Sequence, residues 1–168
     1  MYENTQKKNE KMKALIIPFE SMGDDVLERI SKEISLIFGA ETELYRSMDI
    51  PNCEWRDNQA DAAGFIPVIH EATVLRAADY GIGVTSRDIY YFHEPGLNYI
   101  FGFASGSSCI VSSARMEGEF LRNRISKEAA HELGRCLGMA HCDNPECVMY
   151  PPNSVEELDS KGRKPCSE

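Results

Sequence analysis

Apolar positions along this chain fall into two rhythms. Lys13 to Phe19 (KALIIPF) is a short apolar run closed by a proline, which predicts a buried strand. Val26, Leu27, Ile30, Ile34, Ile37 and Phe38 then recur at helical spacing. Ser21, Asp24 and Asp25 stand ahead of them as N-cap candidates, and Gly39 marks the helix end. Residues 42–47 (TELYRS) predict a second strand, so the first 47 residues form a strand–helix–strand unit with parallel strands. Residues 58–79 carry mixed helical spacing disturbed by Gly64 and Pro67, which predicts a kinked helix. Tyr80–Thr85, residues 98–104 (NYIFGFA) and residues 109–113 (CIVSS) are further strands, the last two joined by a turn at Ser105-Gly106-Ser107.

Residues 126–137 predict another helix, with Glu128 in its first turn, where the helix dipole favours an acid. Gly138 can adopt the left-handed conformation that stops a helix, and the chain can then bend back. Beyond it the sequence is irregular and poor in apolar residues, so it needs a staple.

At 168 residues, 42% of them hydrophobic, the chain has the size of one domain with a proper core. The net charge of −9 argues against nucleic acid and against an anionic membrane surface. No apolar run approaches the roughly 20 residues of a spanning helix. Residues 1–11 read as a flexible polar leader without the apolar stretch of a secretory signal. Six cysteines in a chain of this size, with no export signal, point to a cytoplasmic protein that uses some of them on metal.

The chemistry concentrates in His131-Glu132-Leu-Gly-Arg135-Cys136-Leu-Gly138-Met-Ala-His141-Cys142. Two histidines four apart on a helix, with a glutamate beside the first, hold a metal and a general base. In such a hydrolase the metal lowers the pKa of water and the glutamate takes its proton. Here the first His-Glu pair, Gly138 and the last histidine keep the spacing, but the middle histidine is Arg135. Arginine stays cationic and cannot ligate a metal. His131 and His141 therefore form an incomplete set, one short of the three protein ligands of a catalytic zinc, and the expected catalytic site is weak or empty. His93 is a candidate replacement ligand, while His70 reads as a surface or packing residue.

Cys142-x4-Cys147, with Cys166 further on, offers three thiolates to a structural zinc. Glu168, water or another group is left to supply the fourth ligand, and a Cys142–Cys147 disulfide is the rival reading. Cys53, Cys109 and Cys136 read as small buried hydrophobes. Met149, two residues after Cys147, suggests a tight turn flooring the metal site.

The pattern His131-Glu132…Gly138…His141-Cys142-x4-Cys147-x-Met149, followed by a late cysteine, resembles the archaemetzincins, metzincin-like zinc metallopeptidases. Weaker likeness runs through Arg56-x-x-Gln59, Gly83-Val84-Thr85…Asp88, Asn98-Tyr-Ile-Phe-Gly102 and Ser113-Ala-Arg115. The resemblance implies an α/β (α+β) fold. A twisted mixed sheet with backing and active-site helices would form an upper lobe (about residues 12–138). A small irregular C-terminal subdomain (about residues 139–168) would lie below a horizontal cleft. It further implies catalytic zinc on the motif histidines, Glu132 as general base, structural zinc on Cys142, Cys147 and Cys166, and Met149 as the Met-turn. The implied reaction is peptide-bond hydrolysis, aminopeptidase-like, by a monomer with a peptide substrate. The alternative is a catalytically inactive pseudopeptidase or a zinc-stapled peptide- or protein-binding domain.

Overall fold

The computed structural model describes residues 10–92 and 98–166. The leader up to residue 9, His93 and Glu168 lie outside them.

Among the described residues, the main sheet has five strands in the order β2-β1-β5-β8-β7. β1 (Lys13–Phe19), β2 (Glu41–Leu44), β5 (Tyr80–Thr85) and β8 (Ser108–Ser112) pair in parallel, and β7 (Gly102–Ser105) closes one edge antiparallel to β8. Side chains alternate across a strand, and that alternation sorts the core. Ala14, Ile16, Ile82, Val84, Cys109 and Val111 face one layer, with helices α1 (Asp24–Phe38) and α3 (Leu121–Cys136). Leu15, Ile17, Phe19 and Ile110 face the other, with α2 (Ile66–Leu75) and the 3-10 turn Ala62–Phe65. A small second sheet, β3-β4-β6, joins β3 (Trp55–Arg56), β4 (Gln59–Asp61) and β6 (Ile89–Tyr90).

Several elements depart from the pattern reading. Residues 58–79 are not one kinked helix: β4, the 3-10 turn and α2 follow one another, with Pro67 in the first turn of α2. Proline is tolerated there because its missing N–H has no helical partner to lose. The cap of α1 is Gly23 without a side-chain bond, rather than Ser21 or an aspartate. The strand expected at 42–47 ends at Leu44, and that at 98–104 begins only at Gly102, with Ile100 making an isolated bridge to Ile89. α3 starts five residues earlier than the pattern indicated, at Leu121, so Ser126 lies buried inside it. The C-terminal stretch contains a short helix, α4 (Val155–Ser160), capped by Ser154. Among the described residues, no helix is long and apolar enough to cross a membrane.

α3 is the central element. Every residue from Ile125 to Gly134 is buried, between the sheet and the C-terminal segment. Its end is set by two backbone bonds, from Gly138 N–H to Arg135 O (3.0 Å) and from Met139 N–H to Gly134 O (2.9 Å). With Gly138 at φ +86° this is the Schellman arrangement, which satisfies the last carbonyls and turns the chain sharply. A side chain at 138 would be strained there.

Candidate metal and peptide site

The turn at Gly138 returns His141 to a position beside His131. Their ring centroids stand 5.2 Å apart with planes 29° from parallel. His131 is buried, and its Nδ1 lies 2.9 Å from Val148 O. A carbonyl only accepts, so the proton sits on Nδ1 and Nε2 keeps its lone pair. Lys161 Nζ also approaches Nδ1 (3.3 Å), where it acts as a neighbouring cation, and it donates to Glu128 Oε2 (3.3 Å). This buried Lys161–Glu128 pair closes the site from behind.

Burial drives the His131 pKa down to about 4, with Lys161 adding to the effect and Glu128 opposing it. The neutral ring suits a metal ligand, and it has a measurable consequence. In the metal-stripped chain the unfolded state binds the extra proton between pH 6.5 and 4, so stability falls as pH drops through that window. The shift from 6.5 to about 4 corresponds to about 3 kcal/mol. Urea unfolding at steps across this range, on the parent and on His131→Gln, should show the steeper acid loss in the parent only.

Glu132 is buried next to His131 on the same helix. Desolvation first, then the Glu128 carboxylate and Cys136, push its carboxyl well above the usual carboxylate range; Lys161 and Arg135 pull the other way. The glutamate lies against β7. A Cβ placed on Gly102 would stand 2.6 Å from both Glu132 Cγ and Oε1, so only glycine leaves room for this approach.

Arg135 lies one helical turn beyond His131. Its Nη1 donates to Met139 O at 2.6 Å, across the end of the helix. Arg135, His131, Glu132, Glu128 and His141 line one cavity of about 540 Å³. The strand side of that cavity runs from Asn98 to Ala104, and Pro151, Pro152 and Asn153 complete the rim. Tyr99 Oη reaches Asn153 O at 3.4 Å and links the two sides.

The cysteines gather below. Cys142, Cys147 and Cys166 place their sulfurs within 4.8 Å of one another. Cys142 and Cys166 are 3.8 Å apart, the edge of a tetrahedron whose thiolates lie about 2.3 Å from zinc. Backbone N–H groups of Met149 (3.4 Å) and Cys166 (3.2 Å) point at Cys147 Sγ. Burial raises that thiol, yet these donors bring it below its ordinary value. Asn144 Nδ2 donates to Cys166 Sγ at 3.4 Å. The donor set fits a structural zinc with one position left. All six cysteines are free, so the disulfide rival is not formed. Cys109 is buried as expected, but Cys53 and Cys136 are only half-buried, a correction to the reading of all three as core. Met149 is buried against Gly134, and its carbonyl accepts from Cys142 N–H (3.0 Å), tying the cysteine loop to α3.

The His131–His141 pair fits a metal less well. Two imidazoles sharing one ion hold their ring centres roughly 5 Å apart, as these do. Among the described residues, though, no third imidazole, thiolate or carboxylate clusters with them. The donor set falls short of a catalytic zinc, and the third ligand's position on α3 is held by Arg135, whose guanidinium turns to Met139 O.

Two associations escaped the sequence reading, the second built of residues that it named only motif by motif. Lys161 makes one; its meeting with Glu128 and His131 spans about 30 residues and leaves no spacing signal. The other is the network behind the cavity rim. Arg56 and Gln59 both bond Asn98 O (3.0 and 2.7 Å), Gln59 also bonds Asp88 (2.9 Å), and Arg115 pairs with Asp88 (3.0 and 2.7 Å) while its guanidinium lies 3.9 Å over the Tyr99 ring. These scattered residues are one device that holds residues 98 and 99 at the cavity mouth. His70 lies exposed on α2, as a surface residue should.

A mixed sheet over a helix that ends in this histidine turn defines a metzincin-like peptidase architecture, and comparison with known proteins agrees. The profile of peptidase family M54 matches residues 73–168. The archaemetzincin of Methanocaldococcus jannaschii is 32% identical over 166 residues, covering 92% of this chain and 89% of that protein. The crystal structure of archaemetzincin from Methanopyrus kandleri superposes with a TM-score of 0.79 at 27% identity, covering 93% of this chain and 89% of that one. A zinc-dependent peptidase from Methanocorpusculum labreanum gives 0.75 at 28% identity, covering 91% and 95%. The chain belongs to the archaemetzincins, family M54 of the zinc metallopeptidases.

Proposed function

We propose that this chain is a cytoplasmic, monomeric archaemetzincin that retains the peptide cleft and a structural zinc but holds catalytic zinc weakly or not at all. The observation that carries the reading is Arg135, lining the cavity together with His131 and His141 where a third donor belongs. Residues 12–168 act as one catalytic-type domain, its upper lobe running to about 138 and its lower lobe from about 139.

Each residue has a role in this scheme. Cys142, Cys147 and Cys166 hold the structural zinc, which pins the C-terminal segment under α3 and supplies cohesion where apolar surface is scarce. Met149 floors the site as its Met-turn, locked by Cys142 N–H and packed on Gly134. Val148 O fixes the His131 tautomer. β7 is an edge strand beside the cavity, so a peptide backbone can add to it as a further strand.

Glu132 serves in this reading as the general base for peptide-bond hydrolysis of an aminopeptidase-like kind. A base must be ionised, and burial favours the neutral carboxyl here. The incomplete zinc ligand set leaves hydrolysis by this chain slow or absent, and a pseudopeptidase that binds peptides without cutting them is the second reading. Elemental analysis of the purified chain tests the proposal, with an expected content of one zinc per chain. Two zincs per chain, with efficient peptide cleavage, would overturn it.

A further inference from the structure

Arg135 does more than spoil a metal site. We infer that it turns the cleft into a receptor for the C-terminal carboxylate of a peptide, held by the guanidinium where the scissile carbonyl of a peptidase substrate would lie. This rests on the cleft reading above and names its ligand.

The first support is charge. Most of the other arginines are paired with a carboxylate. Among the described residues, Arg135 has no carboxylate within ion-pair distance, and its recorded bond goes to a neutral carbonyl through Nη1. The nearby buried cation, Lys161, is matched by Glu128 at 3.3 Å. Glu132, the other acid of the cavity, is turned against β7 at Gly102. Arginine cannot lose its proton in a protein, so the cavity presents a fixed positive charge for which the described residues supply no ion-pair partner. A planar guanidinium matches a carboxylate through paired N–H···O bonds.

The second support is shape. Among the described residues, the guanidinium bonds Met139 O alone, which fixes it at the end of α3 and leaves its other N–H groups available. Opposite it runs the edge strand β7, with Tyr99, Phe101 and Phe103 among the lining residues. A cavity of about 540 Å³ is of the size that takes a small-molecule or short-peptide ligand. A peptide aligned on β7 brings its backbone past His131 and Glu132. If it ends there, its terminal carboxylate meets Arg135. The carboxylate is what a peptide bond cleaved at this place leaves behind, so the site has the form of a product complex without needing the reaction.

The probes are N-acetyl-trialanine and its C-terminal amide, titrated into the zinc-replete full chain. NMR follows the Arg135 side-chain Nε–H signal and the backbone amides of 99–104. We expect the free acid to bind about tenfold more tightly than the amide. Arg135→Gln should bring the acid down to the amide's affinity, and Arg135→Lys should restore part of the difference. Equal shifts of the β7 amides by acid and amide would overturn the carboxylate anchor while leaving the cleft intact. No saturable shift by either ligand would overturn both.

Discussion

Arg135→His is expected to raise the zinc content from one to two per chain and to switch on peptide hydrolysis. The substitution acts twice. It returns an imidazole to the position one helical turn from His131, on the same face of α3, giving the three protein ligands that a catalytic zinc requires. It also removes a repelling cation. A unit charge about 4 Å from a dication costs on the order of 8 kcal/mol at an effective dielectric of 20. The guanidinium is drawn aside to Met139 O, so the actual penalty is smaller. Even about 3 kcal/mol, with the new ligand's own contribution added, makes the affinity gain at least about a hundredfold. The same ion acts on Glu132. Burial raises its carboxyl toward the neutral form, and a dication beside it favours the carboxylate that a base must be. Bound zinc supplies a Lewis acid and a nucleophile at neutral pH, which this chain's own residues cannot provide. Peptide turnover should rise at least about a hundredfold over the parent, within the usual range for a base acting in its required protonation state. The measurement is zinc by elemental analysis together with cleavage of a fluorogenic peptide, with circular dichroism to establish folding. A folded Arg135→His chain that takes up no second zinc would remove arginine as the cause of the incomplete site.

Much of this was legible beforehand, and the reasons differ by element. Strands β1, β5 and β8 are continuous apolar runs because both faces of a mostly parallel sheet are covered, and α1 shows its buried stripe plainly. The convergence of His131 and His141 followed from helical geometry and one glycine that can take positive φ. Residues 58–79 misled because apolar spacing cannot separate a short strand plus a 3-10 turn from the first turns of a helix. The start of α3 was hidden by Leu121-Arg-Asn-Arg124, a polar turn whose helicity comes from tertiary packing; Arg124 pairs with Asp159, 35 residues away, at 2.7 Å. Spacing alone could not show that Arg56, Gln59, Asp88 and Arg115 act together, since nothing local records which loops meet. Gly102 did carry a signal. A glycine inside an apolar strand marks a close approach, and Glu132 is what approaches.

The cysteine site should carry a different energy. Cys147→Ser is expected to abolish bound zinc and to lower the melting temperature by about 10 °C or more. Cys147 sits at the centre of the cluster, buried, with two backbone N–H groups aimed at its sulfur. Serine keeps the volume but not the soft thiolate that zinc selects. Two sulfurs remain, and the loop between Cys142 and the returning segment near Lys164 loses its pin; the Val148 N–H to Lys164 O bond (3.0 Å) is left to hold it. Structural zinc contributes about 10–16 kcal/mol in small zinc-dependent peptides. Here Val148, Met149 and Leu158 already bury the segment in the main core, so part of that energy is not at stake. A loss of about 5 kcal/mol is the reasonable share, and at about 2–4 °C per kcal/mol in a domain of this size it gives a fall of about 10–20 °C. Because Val148 O orients His131 and Met149 packs beneath α3, opening this segment should also cost peptide binding. Scanning calorimetry with and without a strong chelator measures both effects. Chelation should reproduce the serine variant in the parent and do nothing further in Cys147→Ser. Cys53→Ala, whose half-buried thiol lies outside the cluster, should keep its zinc. A Cys147→Ser chain that melts with the parent and retains one zinc would mean that the metal is held elsewhere.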